Sequence, residues 1–172
     1  MSNVFSRRSF LKYTAVTAVA VAGSSLLGGC SGSGSTPPKE DIGSSNSALR
    51  VQSTLTKLDY SAEANTATFE IHIANGRWND LHITNVNFYV YADEKLYQAG
   101  NLEVALKPGS ASGPQIDRGK EADYLITVRN LDPNVQTLTL TFMPDVQYNE
   151  SDYQCVWSID RKKFAPGEAS GT

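Results

Sequence analysis

Hydrophobic and polar residues alternate in several short stretches from residue 48 onward, which is the pattern of half-buried β-strands. The apolar positions of these stretches are Leu49, Val51 and Leu55; Phe69, Ile71 and Ile73; residues 96–99; Leu102, Val104 and Leu106; Ala122, Tyr124, Ile126 and Val128; Leu138, Leu140 and Phe142; and residues 153–159. No window of helical length carries apolar residues at the spacing of a helix face. Because turn signals separate the stretches, the pattern predicts an all-β, antiparallel β-sandwich of seven or eight strands over residues 48–164.

A further strand is predicted over residues 81–91, but its apolar residues would switch from one face of the strand to the other part-way along it. The apolar positions are odd-numbered as far as Ile83 and even-numbered from Val86. One extra residue in one strand of a pair shifts the alternation in this way. We therefore expect a β-bulge near Thr84 and Asn85.

The first thirty residues have a different pattern. Basic residues precede an apolar run at residues 13–27, and small residues follow it. The run is shorter than the roughly twenty residues that span a bilayer. A basic start, a short apolar core and a small-residue end together predict an export signal.

The basic start resembles the twin-arginine export motif of bacteria. In the run SRRSFLK at residues 6–12, the motif positions are Arg7, Arg8, Phe10 and Leu11. The resemblance implies that the twin-arginine machinery exports the chain after it has folded in the cytoplasm. The alternative is an ordinary signal peptide that happens to contain two adjacent arginines.

The end of the apolar run, LGGC at residues 27–30, resembles the cleavage box of bacterial lipoproteins. The resemblance implies that lipoprotein-processing enzymes remove residues 1–29 and that Cys30 is acylated with fatty acids such as palmitate. Two or more acyl chains anchor a protein stably where one does not. The predicted location is the outer face of the cytoplasmic membrane, or the outer membrane if the organism has one. The alternative is a cysteine that follows the apolar run by chance.

Both flanks of the predicted domain are poor in residues that a core could bury. Residues 30–47 are rich in Gly, Ser and Pro, which predicts a flexible linker between the lipid and the domain. Residues 165–172 are predicted to form a flexible tail.

Charge and cysteine content narrow the classes of function. Without residues 1–30, 12 basic side chains remain against 18 acidic ones, so the mature net charge is about −6. This balance argues against nucleic-acid binding and against a surface for lipid headgroups. If Cys30 carries the lipid, Cys155 is the one remaining cysteine, and we expect it to lie buried in the core rather than to react or bind a metal.

The run NFYVYADEKL at residues 87–96 resembles the FxLYD family of small bacterial immunoglobulin-like domains. Two further segments fit, at residues 73–75 and 116–121, so the likeness covers about residues 67–128. Val90 stands in place of the motif's Leu, and Ala92 precedes Asp93. Late-embryogenesis-abundant type 2 domains share a similar strand pattern and are a competing resemblance. Both resemblances imply an extracytoplasmic, immunoglobulin-like sandwich, and neither implies a reaction.

His72 and His82 are the two histidines of the chain and the weak candidates for a metal site. In a hairpin centred on Arg77 they would face each other and could share a metal. In an immunoglobulin-type topology the strands lie in different sheets and the pair is broken. A blue-copper site would combine them with Met143 and Cys155, but such sites have a His after the Cys and this chain has none. We therefore assign no metal and no cofactor.

Two sets of side chains are candidates for binding a partner. Arg77 and Trp78 lie in a polar loop, and both residue types are enriched at binding hot spots. The alternative is that Trp78 folds back over the open end of the core. Tyr89, Tyr91 and Tyr97 could form an aromatic patch on the outer face of a sheet, or take part in ordinary cross-strand pairing.

The sequence carries no motif of catalysis. It has no Gly-x-Ser-x-Gly, no phosphate-binding loop and no His-Glu-x-x-His. The acidic run at residues 145–152 lacks the spacing of an EF-hand, so a solvated loop is favoured over a calcium site. We therefore expect a non-enzymatic, lipid-anchored module that binds an envelope protein. The first alternative is an envelope metal-binding protein that uses His72 and His82, and a hydrolase ranks third.

Overall fold

The computed structural model describes residues 41–98, 100–110, 113–148 and 150–166. The export-motif residues Arg7, Arg8, Phe10 and Leu11, the predicted lipidation site Cys30 and most of the predicted linker lie outside the described residues. The strands are β1 (Ser45–Ala48), β2 (Val51–Ser61), β3 (Thr66–Asn75), β4 (Leu81–His82), β5 (Phe88–Ala92), β6 (Lys95–Tyr97), β7 (Leu102–Leu106), β8 (Gln115–Ile116), β9 (Glu121–Val128), β10 (Thr137–Phe142) and β11 (Cys155–Asp160). A helix of one turn, α1 (Arg161–Phe164), follows β11. No helix in the described part of the chain is long and apolar enough to cross a membrane.

The strands form two principal antiparallel sheets. One sheet has the order β1-β2-β3-β9-β7 and the other β11-β10-β5-β6, while β4 and β8 form a small two-stranded ladder. Apart from β1 and β6, the orders match strands A-B-E-D and G-F-C of an immunoglobulin-type sandwich. The predicted antiparallel β-sandwich is confirmed. The eleven described strands exceed the predicted seven or eight because β1, β4 and β8 are too short to show alternation.

The core lies between the inward faces of the two principal sheets. On β3, the alternating residues Phe69, Ile71 and Ile73 are all buried, as the sequence pattern predicts. Phe88 and Phe142 stack across β5 and β10 with ring centroids 5.0 Å apart. Cys155 is buried in this core as well, in agreement with the prediction.

The predicted bulge near Thr84 and Asn85 is wrong. A turn of 3₁₀ helix, Asn85–Asn87, separates β4 from β5 and carries the chain from the β4–β8 ladder into the sheet that contains β5. A shift in alternation has the same appearance in the sequence whether one residue bulges or the chain changes sheet. The register shift that the structure does contain lies in β2, between Leu55 and Lys57.

The domain also begins earlier than predicted, because residues 41–47 belong to the fold and not to the linker. β1 pairs with β2 through all four of its residues. The backbone N–H of Gly43 donates to the carbonyl of Leu55, and the Trp157 indole N–H donates to the carbonyl of Ser44 at 3.2 Å. At the other terminus Ala165, predicted to lie in the flexible tail, is buried, and residues 167–172 lie outside the described residues.

The two ends of the sandwich differ in their connections. We call one the loop end; it comprises turn 49–50, connection 76–87, segment 107–114, turn 117–120 and loop 143–154, of which residues 111, 112 and 149 are not described. We call the other the closed end; it comprises turns 62–65 and 93–94, segment 129–136 and α1.

Candidate binding surface at the loop end

Exposed apolar side chains are concentrated at the loop end. Six large hydrophobic side chains are exposed in the described part of the chain, and five belong to this end: Trp78, Val86, Val146, Tyr148 and Tyr153. The sixth, Leu96, lies on β6. Clustered exposed hydrophobics are a mark of interaction sites, whereas scattered ones are ordinary.

The buried side chain of Asn75 fixes the start of connection 76–87 by hydrogen bonds. The amide nitrogen of Asn75 donates to the carbonyls of Asn79 and Ile116 at 3.0 and 2.9 Å, and its oxygen accepts from the Arg77 backbone N–H at 3.0 Å. The Asn75 carbonyl also accepts from the backbone N–H of Gly119. The Asn75 side chain thereby ties connection 76–87 to β8, and its backbone carbonyl ties the same residue to turn 117–120.

A second buried asparagine and an ion pair join connection 76–87 to loop 143–154. The amide nitrogen of Asn87 donates to the Met143 carbonyl at 2.9 Å, and the Met143 N–H donates back to the Asn87 carbonyl at 2.8 Å. The Arg77 guanidinium lies 3.1 Å from an Asp145 carboxylate oxygen, and both side chains are mostly buried. The loops of this end are therefore pre-organised by the fold.

Trp78 is the most exposed of the large hydrophobic side chains, at 68%. The alternative in which it folds back over the core is therefore wrong. The guanidinium carbons of Arg50 and Arg118 lie 5.0 and 4.7 Å from its ring centroid. Guanidinium groups at this distance are attracted to an indole ring. We call these three side chains the Arg-Trp-Arg cluster.

Nearby carboxylates are engaged by other groups. Asp80 accepts from the Gln115 side chain at 2.9 Å and from the Arg118 backbone N–H at 3.3 Å. Asp117 accepts from the same glutamine at 3.1 Å. Among the described residues, neither the Arg50 nor the Arg118 guanidinium makes a hydrogen bond or an ion pair.

Arg50 is held in a costly backbone conformation. It forms with Leu49 the two-residue turn between β1 and β2, and their φ angles are +65° and +50°. Such a turn favours Asn-Gly, and other L-residues pay roughly 1–2 kcal/mol each for a left-handed backbone. Leu49, predicted as the start of a strand, therefore lies in the turn. Gly76 fits beside this turn because a Cβ there would come within 2.6 Å of the Arg50 carbonyl oxygen.

The predicted tyrosine patch is only partly formed. Tyr89 and Tyr91 are half-buried on the face of β5 opposite the core, beside Thr141 and Thr139 of β10. Burial raises the pKa of the Tyr91 phenol above its usual value, and Tyr89 adds to the shift.

Tyr97 does not belong to the tyrosine patch. The turn at Asp93 and Glu94 places it opposite the core residue Val90, so it points inward and is 1% exposed. Its hydroxyl donates to the Asn130 carbonyl at 3.1 Å. The assignment of Tyr97 to a binding surface is therefore wrong.

The hairpin that would bring His72 and His82 together is not formed. β3 pairs with β2 and β9, and the His72 Nδ1 atom lies 2.9 Å from an Asp123 carboxylate oxygen. His82 pairs with Gln115 in the β4–β8 ladder. Across the described ranges, no three His, Cys, Asp or Glu side chains are grouped so that they could hold a metal ion.

Sequence reasoning missed Arg50, Arg118 and the apolar residues of loop 143–154. The acidic run at residues 145–152 predicts a solvated loop because it lacks the spacing of an EF-hand, although Val146 and Tyr148 interrupt its polar residues. Tyr153, predicted as the first residue of the last strand, belongs to this loop instead. The rings of Tyr148 and Tyr153 contact each other edge to face at 5.4 Å. Apolar residues within a polar loop were the available signal; no sequence signal pointed to the two arginines.

One family model matches the chain. The model of the TAT (twin-arginine translocation) pathway signal sequence matches residues 4–24. The chain carries a twin-arginine export signal. This signal directs the chain across the cytoplasmic membrane, in agreement with the prediction from residues 6–12. No curated protein matches the chain by sequence.

Solved structures of several bacterial proteins share the fold. A candidate lipoprotein (ycdA) from Bacillus subtilis superposes with a TM-score of 0.52 at 12% identity, covering 74% of this chain and 42% of that one. This chain therefore spans less than half of that protein. The yjhA protein from Bacillus subtilis superposes with a TM-score of 0.50 at 14% identity, covering 70% of this chain and 99% of that one. A β-sandwich protein from Clostridium difficile superposes with a TM-score of 0.44 at 13% identity, covering 74% of this chain and 100% of that one. At such low identity, the first two likenesses show the fold alone.

Proposed function

We propose that this protein is a non-enzymatic binding module that a lipid on Cys30 holds outside the cytoplasmic membrane, where the loop end captures another envelope protein. The observation that carries the proposal is the concentration of exposed Trp, Tyr and Val side chains at one end of the sandwich, next to two arginines without ion-pair partners in the described chain. Trp, Tyr and Arg are the residue types that dominate binding hot spots.

The construction of the loop end supports this role. Connection 76–87 and loop 143–154 correspond to the B–C and F–G loops, which bind antigen in immunoglobulin variable domains. Asn75, Asn87 and the Arg77–Asp145 ion pair hold these loops in place before a partner arrives. Loops that are already ordered lose less conformational entropy on binding, so more of the contact energy appears as affinity.

Photo-cross-linking in intact cells tests the binding role. A photoreactive residue at Val146 or Val86 should give a discrete adduct with an envelope protein, because both side chains are exposed at the loop end. The same residue at Asn134, exposed at the closed end, is the control. Trp78→Ala should weaken the adducts from both loop positions. Equal adducts from both ends, or none from the loop end, would contradict the proposal.

The two cysteines provide a matched test of the lipid anchor. The box at residues 27–30 supports lipidation, and the ycdA structure described as a candidate lipoprotein agrees with it. Cys30→Ala should move the exported chain from the membrane fraction to the soluble fraction. Cys155→Ala changes a core residue and should leave the chain in the membrane. Retention of the Cys30→Ala chain in the membrane would contradict the anchor.

A further inference from the structure

The Arg-Trp-Arg cluster brings together side chains from three separate segments. Arg50 lies in the β1–β2 turn, Trp78 in connection 76–87 and Arg118 in the β8–β9 turn. Backbone hydrogen bonds fix these segments to one another: the Gly76 N–H donates to the Arg50 carbonyl, and the Gly119 N–H donates to the Asn75 carbonyl. The fold therefore holds together the backbone segments that carry the two arginines and Trp78.

No carboxylate of the described residues pairs with the two guanidinium groups of the cluster. The nearby carboxylates of Asp80, Asp117 and Asp145 are engaged with Gln115, with backbone N–H groups and with Arg77. Arg50 keeps its place despite an unfavourable backbone conformation. Backbone strain of this kind gathers at sites where a side chain is required for function.

We propose that the Arg-Trp-Arg cluster is a subsite for a single carboxylate, supplied by an acidic side chain of the protein partner; this rests on the function proposed above. The planar fork of a guanidinium matches the two oxygens of a carboxylate. The indole ring excludes water from one side, which strengthens the ion pair.

The charges around the cluster favour a protein partner over a lipid surface. Asp80 and Asp117 lie in the same loops as the cluster and would repel an extended anionic surface, as would Asp145 in loop 143–154 and the net charge of the mature chain. A single carboxylate carries one charge and meets less of this repulsion. The aromatic and amide residues that stand among the acidic residues of loop 143–154 then suit the rest of a protein surface.

An NMR titration of the full chain in neutral detergent micelles tests the subsite. The probe is N-acetylglutamate methylamide, which carries one carboxylate, and its control is the glutamine analogue. The glutamate compound alone should give saturable shifts of the Trp78 indole N–H and of the Arg50 and Arg118 Nε–H signals. Arg50→Gln and Arg118→Gln should each raise the dissociation constant about tenfold, since a charge-assisted hydrogen bond is lost.

Arg129→Gln is the matched control, because Arg129 is an exposed arginine near the closed end. This change should leave the dissociation constant unaltered. The proposal is overturned if the glutamate compound gives no saturable shift, or if the Arg50→Gln, Arg118→Gln double variant binds it as well as the original chain. Stronger binding of inorganic phosphate or of phosphatidylglycerol vesicles at the same signals would also overturn it, by assigning the site to phosphate.

The two proposals fail in different ways. If photo-cross-links from Val146 persist while the cluster binds no carboxylate, the binding function stands and the subsite is wrong. If carboxylate binds but no adduct forms at the loop end in cells, the function proposed for that end is contradicted.

Discussion

Both ends of the sandwich place arginine against an aromatic ring, but only one end uses the contact within the fold. At the closed end, Arg161 lies 5.8 Å from the Tyr60 ring and donates to the carbonyls of Pro133 and Val135, both at 2.8 Å. The Tyr60 ring packs edge to face on Phe164 at 5.2 Å. At the loop end, the guanidinium groups of Arg50 and Arg118 contact Trp78 but no carbonyl or carboxylate of the described chain. An arginine packed on an aromatic ring therefore stabilises the fold at the closed end, whereas at the loop end the arginine guanidinium groups are available to a partner.

The largest effect is expected from the asparagine that orders the loop end. Asn75→Ala should lower the free energy of unfolding by about 2–3 kcal/mol, because it leaves buried backbone groups without partners. Urea denaturation measures this change. Asn134→Ala, at the exposed closed-end position, should stay within about 0.5 kcal/mol. If Asn75→Ala is equally mild, the loop end is not pre-organised in the way described.

The two aromatic rings should differ in their contribution to folding. Tyr60→Ala should cost about 1–2 kcal/mol of unfolding free energy, because it removes the contact with Phe164 and partly buried ring surface. Trp78→Ala should cost no more than about 0.5 kcal/mol, because its ring is mostly in solvent. Urea denaturation of both variants in parallel measures the two losses of unfolding free energy. A larger loss from Trp78→Ala would make that ring a structural residue and remove the contrast between the ends.

The ion pairs of the two ends offer a smaller test. Arg77 and Asp145 are about 20% exposed, whereas Arg129 and Glu103 near the closed end are 59% exposed. Double-mutant cycles with Arg→Gln and Asp→Asn or Glu→Gln changes should give a coupling of about 1 kcal/mol for the first pair. The second pair should give less than about 0.5 kcal/mol, because solvent screens it. Equal couplings would show that the Arg77–Asp145 pair does not fasten the loops.

The smallest effect is confined to the surroundings of Trp78. The second tryptophan, Trp157, is fully buried, so added ions should quench mainly Trp78 fluorescence. The ratio of the iodide to the caesium quenching constant should exceed that of free N-acetyltryptophanamide, because the two guanidinium groups attract anions. Arg50→Gln and Arg118→Gln should reduce this preference, and Arg129→Gln should not. A preference for iodide that survives both changes would mean that neither arginine controls the local charge.

Period-two alternation was enough to predict the fold. Phe69, Ile71 and Ile73 mark β3 in the sequence because one face of that strand is buried. Alternation failed where the chain changed sheet at Asn85–Asn87, since that event leaves the same trace as a bulge. Tyr97 was misplaced for a related reason: the turn at Asp93 and Glu94 sets which face it occupies, and the prediction did not extend the register through that turn.

The candidate site was only half predictable. Trp78 stood out because it interrupts a polar loop. Arg50 and Arg118 are distant from it in sequence and come together only through the pairing of β2 with β3 and of β3 with β9. Such a site depends on the register of strand pairing and on turn geometry, and the alternation of apolar and polar residues along the sequence specifies neither.

The position of β1 has a mechanical consequence. The described fold begins at Asp41, beside the middle of β2 and in contact with Lys163 of α1. A pull applied at Asp41 along β1 would load the hydrogen bonds between β1 and β2, together with the Trp157 contact with Ser44, in shear. Such a force would act on the flank of the domain and not on the connections of the loop end.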